Sequence, residues 1–146
     1  MKYTMRTKIF VDSSFWIALV DKSDSSYQKA KKLLKKKEIS QAILVTSDHI
    51  LDECLTRIKR KVGAKFSFLF YKLILDGENQ KILKILQTTK RIFKEAYRIF
   101  ENNPLPKSFS FTDATTIALM KAHKIEALVT FDQDFKKIKP KIQVLP

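Results

Sequence analysis

An α/β sandwich around a mostly parallel sheet is the fold that this sequence predicts, and three observations predict it. Short apolar runs of β type alternate along the chain with stretches whose apolar residues recur at helical spacing. The runs Ile9-Phe10-Val11 and Ala127-Leu128-Val129 are apolar without alternation, which suits strands covered on both faces in the middle of a parallel sheet. No repeat, Pro/Ser-rich linker or shift in composition divides the 146 residues, so a single domain over 1–146 is expected. Folding at this length buries roughly 68–70% of the unfolded chain's surface, enough for one core.

Lys8-Ile9-Phe10-Val11 reads as the first strand. It ends at Asp12, and Ser13 and Ser14 are candidate caps for a helix beginning at Phe15-Trp16-Ile17. Asp24, Ser25 or Ser26 can cap a second helix carrying Tyr27, Ala30, Leu33 and Leu34 on one side and a lysine run on the other. Ala42 to Thr46 reads as a buried strand, and Ser47 or Asp48 caps a helix with Ile50, Leu51, Cys54, Leu55 and Ile58 on one stripe. A phenylalanine-rich helix from Lys65 to Leu75 is expected to stop near Asp76-Gly77. Ile82 to Leu86 is a short strand, and Thr88 or Thr89 caps a helix through Ile92, Phe93, Ala96, Ile99 and Phe100. Asn102, Asn103, Pro104 and Pro106 stop it. The segment Phe109 to Ala114 leads into a helix that ends in Lys121, His123 and Lys124, with acid at its start and bases at its end as the helix dipole favours. Ala127 to Thr130 and Ile142 to Leu145 complete the strands.

Composition narrows the chemistry. Two glycines, where average usage of about 7% would give about ten, leave no room for a glycine-rich phosphate loop. One cysteine and two histidines cannot build a four-ligand Cys/His zinc site or an internal disulfide, so a reducing cytoplasm is the expected compartment. No apolar stretch reaches membrane-spanning length, and the basic start lacks the features of a secretory signal. The 29 Lys and Arg against 15 Asp and Glu give a net charge of +14, which attracts polyanions such as nucleic acid or an anionic membrane surface.

Against that background the position of the acids matters. Asp12 and Asp132 each lie just past the end of an apolar strand, and in a parallel sheet those ends share one edge. Glu53 and Asp113 fall early in helices entered from the same side. Four carboxylates brought together repel one another unless a cation lies between them, and oxygen-only donors suit Mg²⁺ or Mn²⁺. The ordinary alternative for each acid is a cap or turn former; Ser13 and Ser14 compete with Asp12 for that role, as do Thr112 and Ser110 with Asp113. Asp134 serves equally as a supporting group or a surface turn residue.

The segments Ile9-Phe10-Val11-Asp12-Ser13-Ser14, Thr46 to Glu53, Ser110-Phe111-Thr112-Asp113-Ala114 and Leu128 to Phe135 resemble, in order and spacing, the four motifs of PIN-domain ribonucleases. The similarity covers residues 8 to 145 and is nearest to the VapC-like single-domain subgroup, many of whose members are toxins of toxin–antitoxin pairs. It implies a Rossmann-like α/β/α fold and a Mg²⁺- or Mn²⁺-dependent endoribonuclease. It also implies Asp12, Glu53, Asp113 and Asp132 as catalytic and metal-holding acids, Asp134 as an additional metal-site acid, and Ser13 and Thr130 as polar helpers. Phe131 is large for its place in the last motif, and the turn before that strand lacks a glycine near Lys124 to Glu126.

The chemistry so implied is hydrolysis by a metal-activated water, leaving a 5′-phosphate and a 3′-hydroxyl. Arg57, Arg60, Lys61, Lys107 and Lys136 are placed to bind the RNA backbone, and Phe109 or Phe111 offers a ring to stack a base, although core packing is the ordinary role of Phe111. Four alternatives stand beside this reading: an RNA-processing nuclease that is no toxin, an inactive RNA-binding module of the same fold, a metal-free ribonuclease using His49 and His123, and a DNA-directed nuclease. Apolar residues that read as exposed, among them Phe15, Trp16, Phe66, Phe68 and Phe70, fit a surface covered by an antitoxin or by a second copy in a homodimer, and burial in the core accounts for them equally.

Overall fold

The computed structural model describes residues 5–102, 105–138 and 142–146. The elements follow in the order β1 (Lys8–Val11), α1 (Ser13–Val20), α2 (Tyr27–Lys35), α3 (Lys37–Ser40), β2 (Ile43–Ser47), α4 (Asp48–Lys61), α5 (Ala64–Asn79), β3 (Leu83–Leu86), α6 (Lys90–Glu101), α7 (Phe111–Ala122), β4 (Ala127–Val129), a 3₁₀ turn (Gln133–Lys137) and β5 (Gln143–Leu145). The five strands form one sheet in the order β3-β2-β1-β4-β5, and every pairing is parallel. From β1 the chain winds one way to β2 and β3, then returns to the other side for β4 and β5. The strand order therefore reverses between β1 and β4, and in open parallel sheets ligands bind beyond the carboxyl ends of strands at that point.

The two apolar runs are what hold this place together. Phe10 and Val11 of β1 and Leu128 and Val129 of β4 are fully buried, with Phe10 opposite Leu128 and Val11 opposite Val129. Each large side chain so buried stabilises the fold by about 1.5–3 kcal/mol. Phe10→Ala, which also opens a cavity, would cost about 3–5 kcal/mol. Beyond Val11 the Asp12 N–H donates to the Val129 carbonyl at 2.9 Å, so the register of the strands carries Asp12 to the edge where β4 ends.

Several local expectations are revised. Ser13 and Ser14 are not caps: Asp12 occupies the N-cap position of α1, and both serines lie inside the helix. Ser47 caps α4, Thr89 caps α6 and Ser110 caps α7 through their side-chain oxygens. The phenylalanine-rich helix does not stop at Gly77 but runs on to Asn79. Gly77 is buried there, and a Cβ on it would stand 3.2 Å from the Cβ of Leu83, so the residue is small because β3 passes close by. Lys124 takes φ 54, the left-handed conformation for which a glycine was expected in the turn before β4. The stop signals Asn103 and Pro104, and the first four residues of the basic start, lie outside the described residues. Phe15, Trp16 and Phe70 belong to the core, whereas Phe66 and Phe68 are exposed.

Candidate active site

Asp12 is the centre of the site. It is 3% exposed, and its Oδ2 accepts from Thr130 Oγ1 at 2.7 Å and from Ser14 Oγ at 3.0 Å. The same two hydroxyls accept in turn from the backbone: Thr130 Oγ1 from the Asp132 N–H, and Ser14 Oγ from the Phe131 N–H. These bonds tie the end of β1 to the loop after β4. They also leave Asp12 Oδ1 buried with no hydrogen-bond partner. A buried carboxylate oxygen without a donor is expensive to keep charged, and burial pushes the Asp12 carboxyl above its ordinary range. Among the polar helpers, Thr130 stands where expected. The serine hydroxyl that bonds the acid is that of Ser14 and not of Ser13; the two-residue step from N-cap to N2 brings it back to Asp12.

The other acids reach the same edge, each with a hydrogen-bonding role of its own. Asp113 closes a capping box with Ser110: its Oδ2 accepts from the Ser110 N–H at 2.8 Å while Ser110 Oγ accepts from the Asp113 N–H. Serine and acid are thus reciprocal partners rather than competitors for the cap. Asp132 caps the 3₁₀ turn through Oδ1, which accepts from the Asp134 N–H. Asp134 is paired with Lys137 at 2.8 Å and bonded to the Ser108 hydroxyl, and these partners lower its carboxyl. Glu53 sits in the second turn of α4, half-buried, with Arg57 at 3.2 Å.

The acids share one electrostatic neighbourhood. The charge of Glu53 is felt at Asp12, and those of Asp12 and Asp132 at Asp113. Among the described residues, however, no three of His, Cys, Asp or Glu stand together closely enough to hold a metal as they are. The four-carboxylate cluster expected from the sequence is therefore an edge rather than a closed cage, because Asp113, Asp132 and Glu53 are each drawn to a donor of their own. The donor set still fits a hard divalent cation: it is all oxygen, and Asp12 Oδ1 is a buried carboxyl oxygen without a hydrogen-bond partner.

Burial, followed by the charges of Asp12 and Asp132, raises the Asp113 carboxyl from 3.8 to about 6, against the Ser110 hydrogen bonds. A carboxyl whose folded value lies above its unfolded one favours the protonated form. Its stabilising contribution is present below about pH 4 and is lost as pH rises through about 6. Asp113→Asn, which keeps the acceptor for Ser110, is therefore expected to melt above the wild type in chelator at pH 7.5, with the difference closing by pH 4.5. Thermal melts of both proteins at the two pH values check this; a gap that widens towards acid would contradict it.

The basic residues divide into two groups. Lys107 and Lys136 are exposed beside the loops that carry Asp113 and Asp132. Arg57 is engaged with Glu53, and Arg60 and Lys61 lie at the far end of α4, with Lys61 roughly 12 Å along the helix from Glu53. Lys61 faces Asp21 at 3.9 Å, so it is not a flank of the site. Phe109 is buried against Phe135 and cannot stack a base, whereas Phe111 is partly exposed.

A parallel α/β sheet whose switch point presents a buried aspartate among further acids is an arrangement suited to a hard divalent cation. Residues 9–140 match the PIN domain, and the chain belongs to that family, whose nucleases are metal-dependent. It is 29% identical over 127 residues to the 23S rRNA-specific endonuclease VapC20 of Mycobacterium tuberculosis, a span covering 87% of this chain and 91% of the relative. The crystal structure of Mycobacterium tuberculosis VapC20, a sarcin–ricin loop cleaving toxin, superposes with a TM-score of 0.81 at 28% identity, over 94% of this chain and 99% of that one. VapBC2 from Rickettsia felis, bound to a DNA fragment from its promoter, shares the fold with a TM-score of 0.63 at 17% identity, over 95% of this chain and 98% of the other. No helix among the described residues is long and apolar enough to cross a membrane.

Proposed function

We propose that this chain is a Mg²⁺- or Mn²⁺-dependent endoribonuclease, the toxin of a toxin–antitoxin pair, with Asp12, Glu53, Asp113 and Asp132 as its working carboxylates. The observation that carries the reading is the Asp12 carboxylate, held rigidly by Thr130 and Ser14 with one buried oxygen left free at the switch point of the sheet. The likeness to VapC20, an rRNA endonuclease, supports RNA as the substrate, and the fold shared with VapBC supports an antitoxin partner. Phe66, Phe68 and Leu73, exposed on α5, offer apolar surface for that antitoxin or for a second copy in a homodimer.

Asp12, with Asp113, Asp132 and Glu53, would hold the divalent ion, which when bound would supply polarisation of a phosphodiester and a lowered pKa for an attacking water. Asp12 would be the fixed oxygen donor, its other oxygen already held by Thr130 and Ser14, and Asp113, Asp132 and Glu53 would be the further carboxylates at that edge. Lys107 and Lys136 orient the flanking phosphates of the strand. His123 ends α7, at the other end of the helix from Asp113, so it does not form an acid–base pair with His49, whose ring lies against Phe111 at the start of that helix.

Single-stranded RNA should be cut in Mg²⁺ or Mn²⁺, leaving 5′-phosphate and 3′-hydroxyl ends, and cutting should stop in EDTA and return when the ion is restored. End-group analysis of the products reads both points. Undiminished cleavage in excess chelator, or 2′,3′-cyclic phosphate ends, would overturn the reading.

A further inference from the structure

α6 carries a stripe of aromatic rings that stay about half exposed, although two of them touch Phe111 of α7. Ile92, Ala96 and Ile99 turn inward, and Ala96 packs with Ala114 and Ala118 of α7. Phe93, Tyr97 and Phe100, spaced i, i+4, i+7 along one face, remain 49%, 54% and 44% exposed. The stripe is continuous with the site through Phe111, the first residue of α7, two positions ahead of Asp113. Its ring lies 4.8 Å from Phe93 and 5.6 Å from Phe100, centroid to centroid.

Charge favours a polyanion along this face. Lys90 and Lys94 border the stripe and form no ion pair among the described residues, whereas Glu95 is turned to another side of the helix with Arg98 and Lys121. Glu101 is the one acid on the lysine edge. The acids of the site repel phosphate, so a strand entering it must be held from the flank, and α6 is the flank where cations and exposed rings adjoin Asp113. Alternating stacking surfaces and cations is how proteins hold single-stranded nucleic acid, since every base has a face and every linkage a charge.

Building on the ribonuclease reading above, we propose that Phe93, Tyr97 and Phe100 form a stacking platform for unpaired bases of the RNA, with Lys90 and Lys94 on its backbone. The platform directs an unpaired stretch across Phe111 to the acids and so selects looped or single-stranded RNA over duplex.

The test uses the Asp12→Asn chain, expected to bind RNA without cutting it, and a short single-stranded RNA carrying 2-aminopurine. Tyr97→Ala and Phe100→Ala are each expected to weaken binding roughly 5- to 150-fold, the loss of one base stack, and to remove fluorescence quenching of the probe. Neither should change the salt dependence, and Tyr97→Trp should restore affinity. Tyr97 is exposed, so its variants should keep the parent melting curve. Unchanged affinity and quenching in both alanine variants would overturn the platform. So would a shift from dimer to monomer in sedimentation with RNA affinity per chain intact, which would give the stripe to a second copy. If the Asp12→Asn chain binds no RNA at any salt concentration, the ribonuclease reading itself fails, and the platform with it.

Discussion

Asp12→Asn is expected to reduce RNA cleavage by more than about 100-fold while raising the melting temperature of the protein in chelator. The two effects have one cause. Losing a group that merely supports a metal ligand costs about 10–100-fold in affinity or activity, and Asp12 is placed as a ligand itself, so its loss should exceed that range. The same carboxylate is buried with Oδ1 unpartnered, in a position where burial already opposes its charge. An asparagine keeps one carbonyl oxygen for Thr130 and Ser14 and removes the charge. Even a neutral amide left short of an acceptor costs less than a buried carboxylate in the same state. Cleavage assays and melts of the two proteins in EDTA read both halves. A variant that is inactive and also less stable would make Asp12 a structural residue, and one that cleaves at the wild-type rate would remove it from the mechanism.

How far the site can be read from the sequence depends on the range of the contacts that set it. The strand ends were legible because an uninterrupted apolar run stops abruptly at a charge, as Val11 does at Asp12, and the parallel sheet then brings Asp12 beside the loop after β4. Ser14 was obscured because the choice between two adjacent serines depends on where the first helical turn closes, a difference of one residue. The Asp113 capping box is local and has a recognisable form, Ser110 followed three residues later by an acid, so reciprocity rather than competition was open to inference. Lys61 was misplaced because nearness to Glu53 along the sequence becomes distance along a helix. On α6, the spacing predicts a helix through Ile92, Phe93, Ala96, Ile99 and Phe100 without saying which of these face inward. Only packing against α7 shows that the isoleucines and the alanine fill the interface and turn the phenylalanines outward.

Binding of single-stranded RNA to the Asp12→Asn chain is expected to weaken roughly 60- to 250-fold between 50 and 200 mM salt. The protein carries +14 overall while the edge that works on the substrate is acidic, so affinity must come from cations beside that edge. Each phosphate neutralised on a single strand contributes about −0.7 to the slope of log K against log[salt], and about four to six contacts give roughly −3 to −4. Lys136, exposed on the 3₁₀ turn that Asp132 caps, has no ion-pair partner among the described residues, and Lys136→Glu should flatten the slope by about one contact's worth. Lys61→Glu serves as the control: that lysine faces Asp21 at the far end of α4, so its reversal should leave the slope unchanged and reduce stability slightly by setting two acids together. Equal flattening by both substitutions would mean that diffuse charge alone attracts the RNA. A slope near zero in the parent would assign the positive surface to another partner, whatever the acids do.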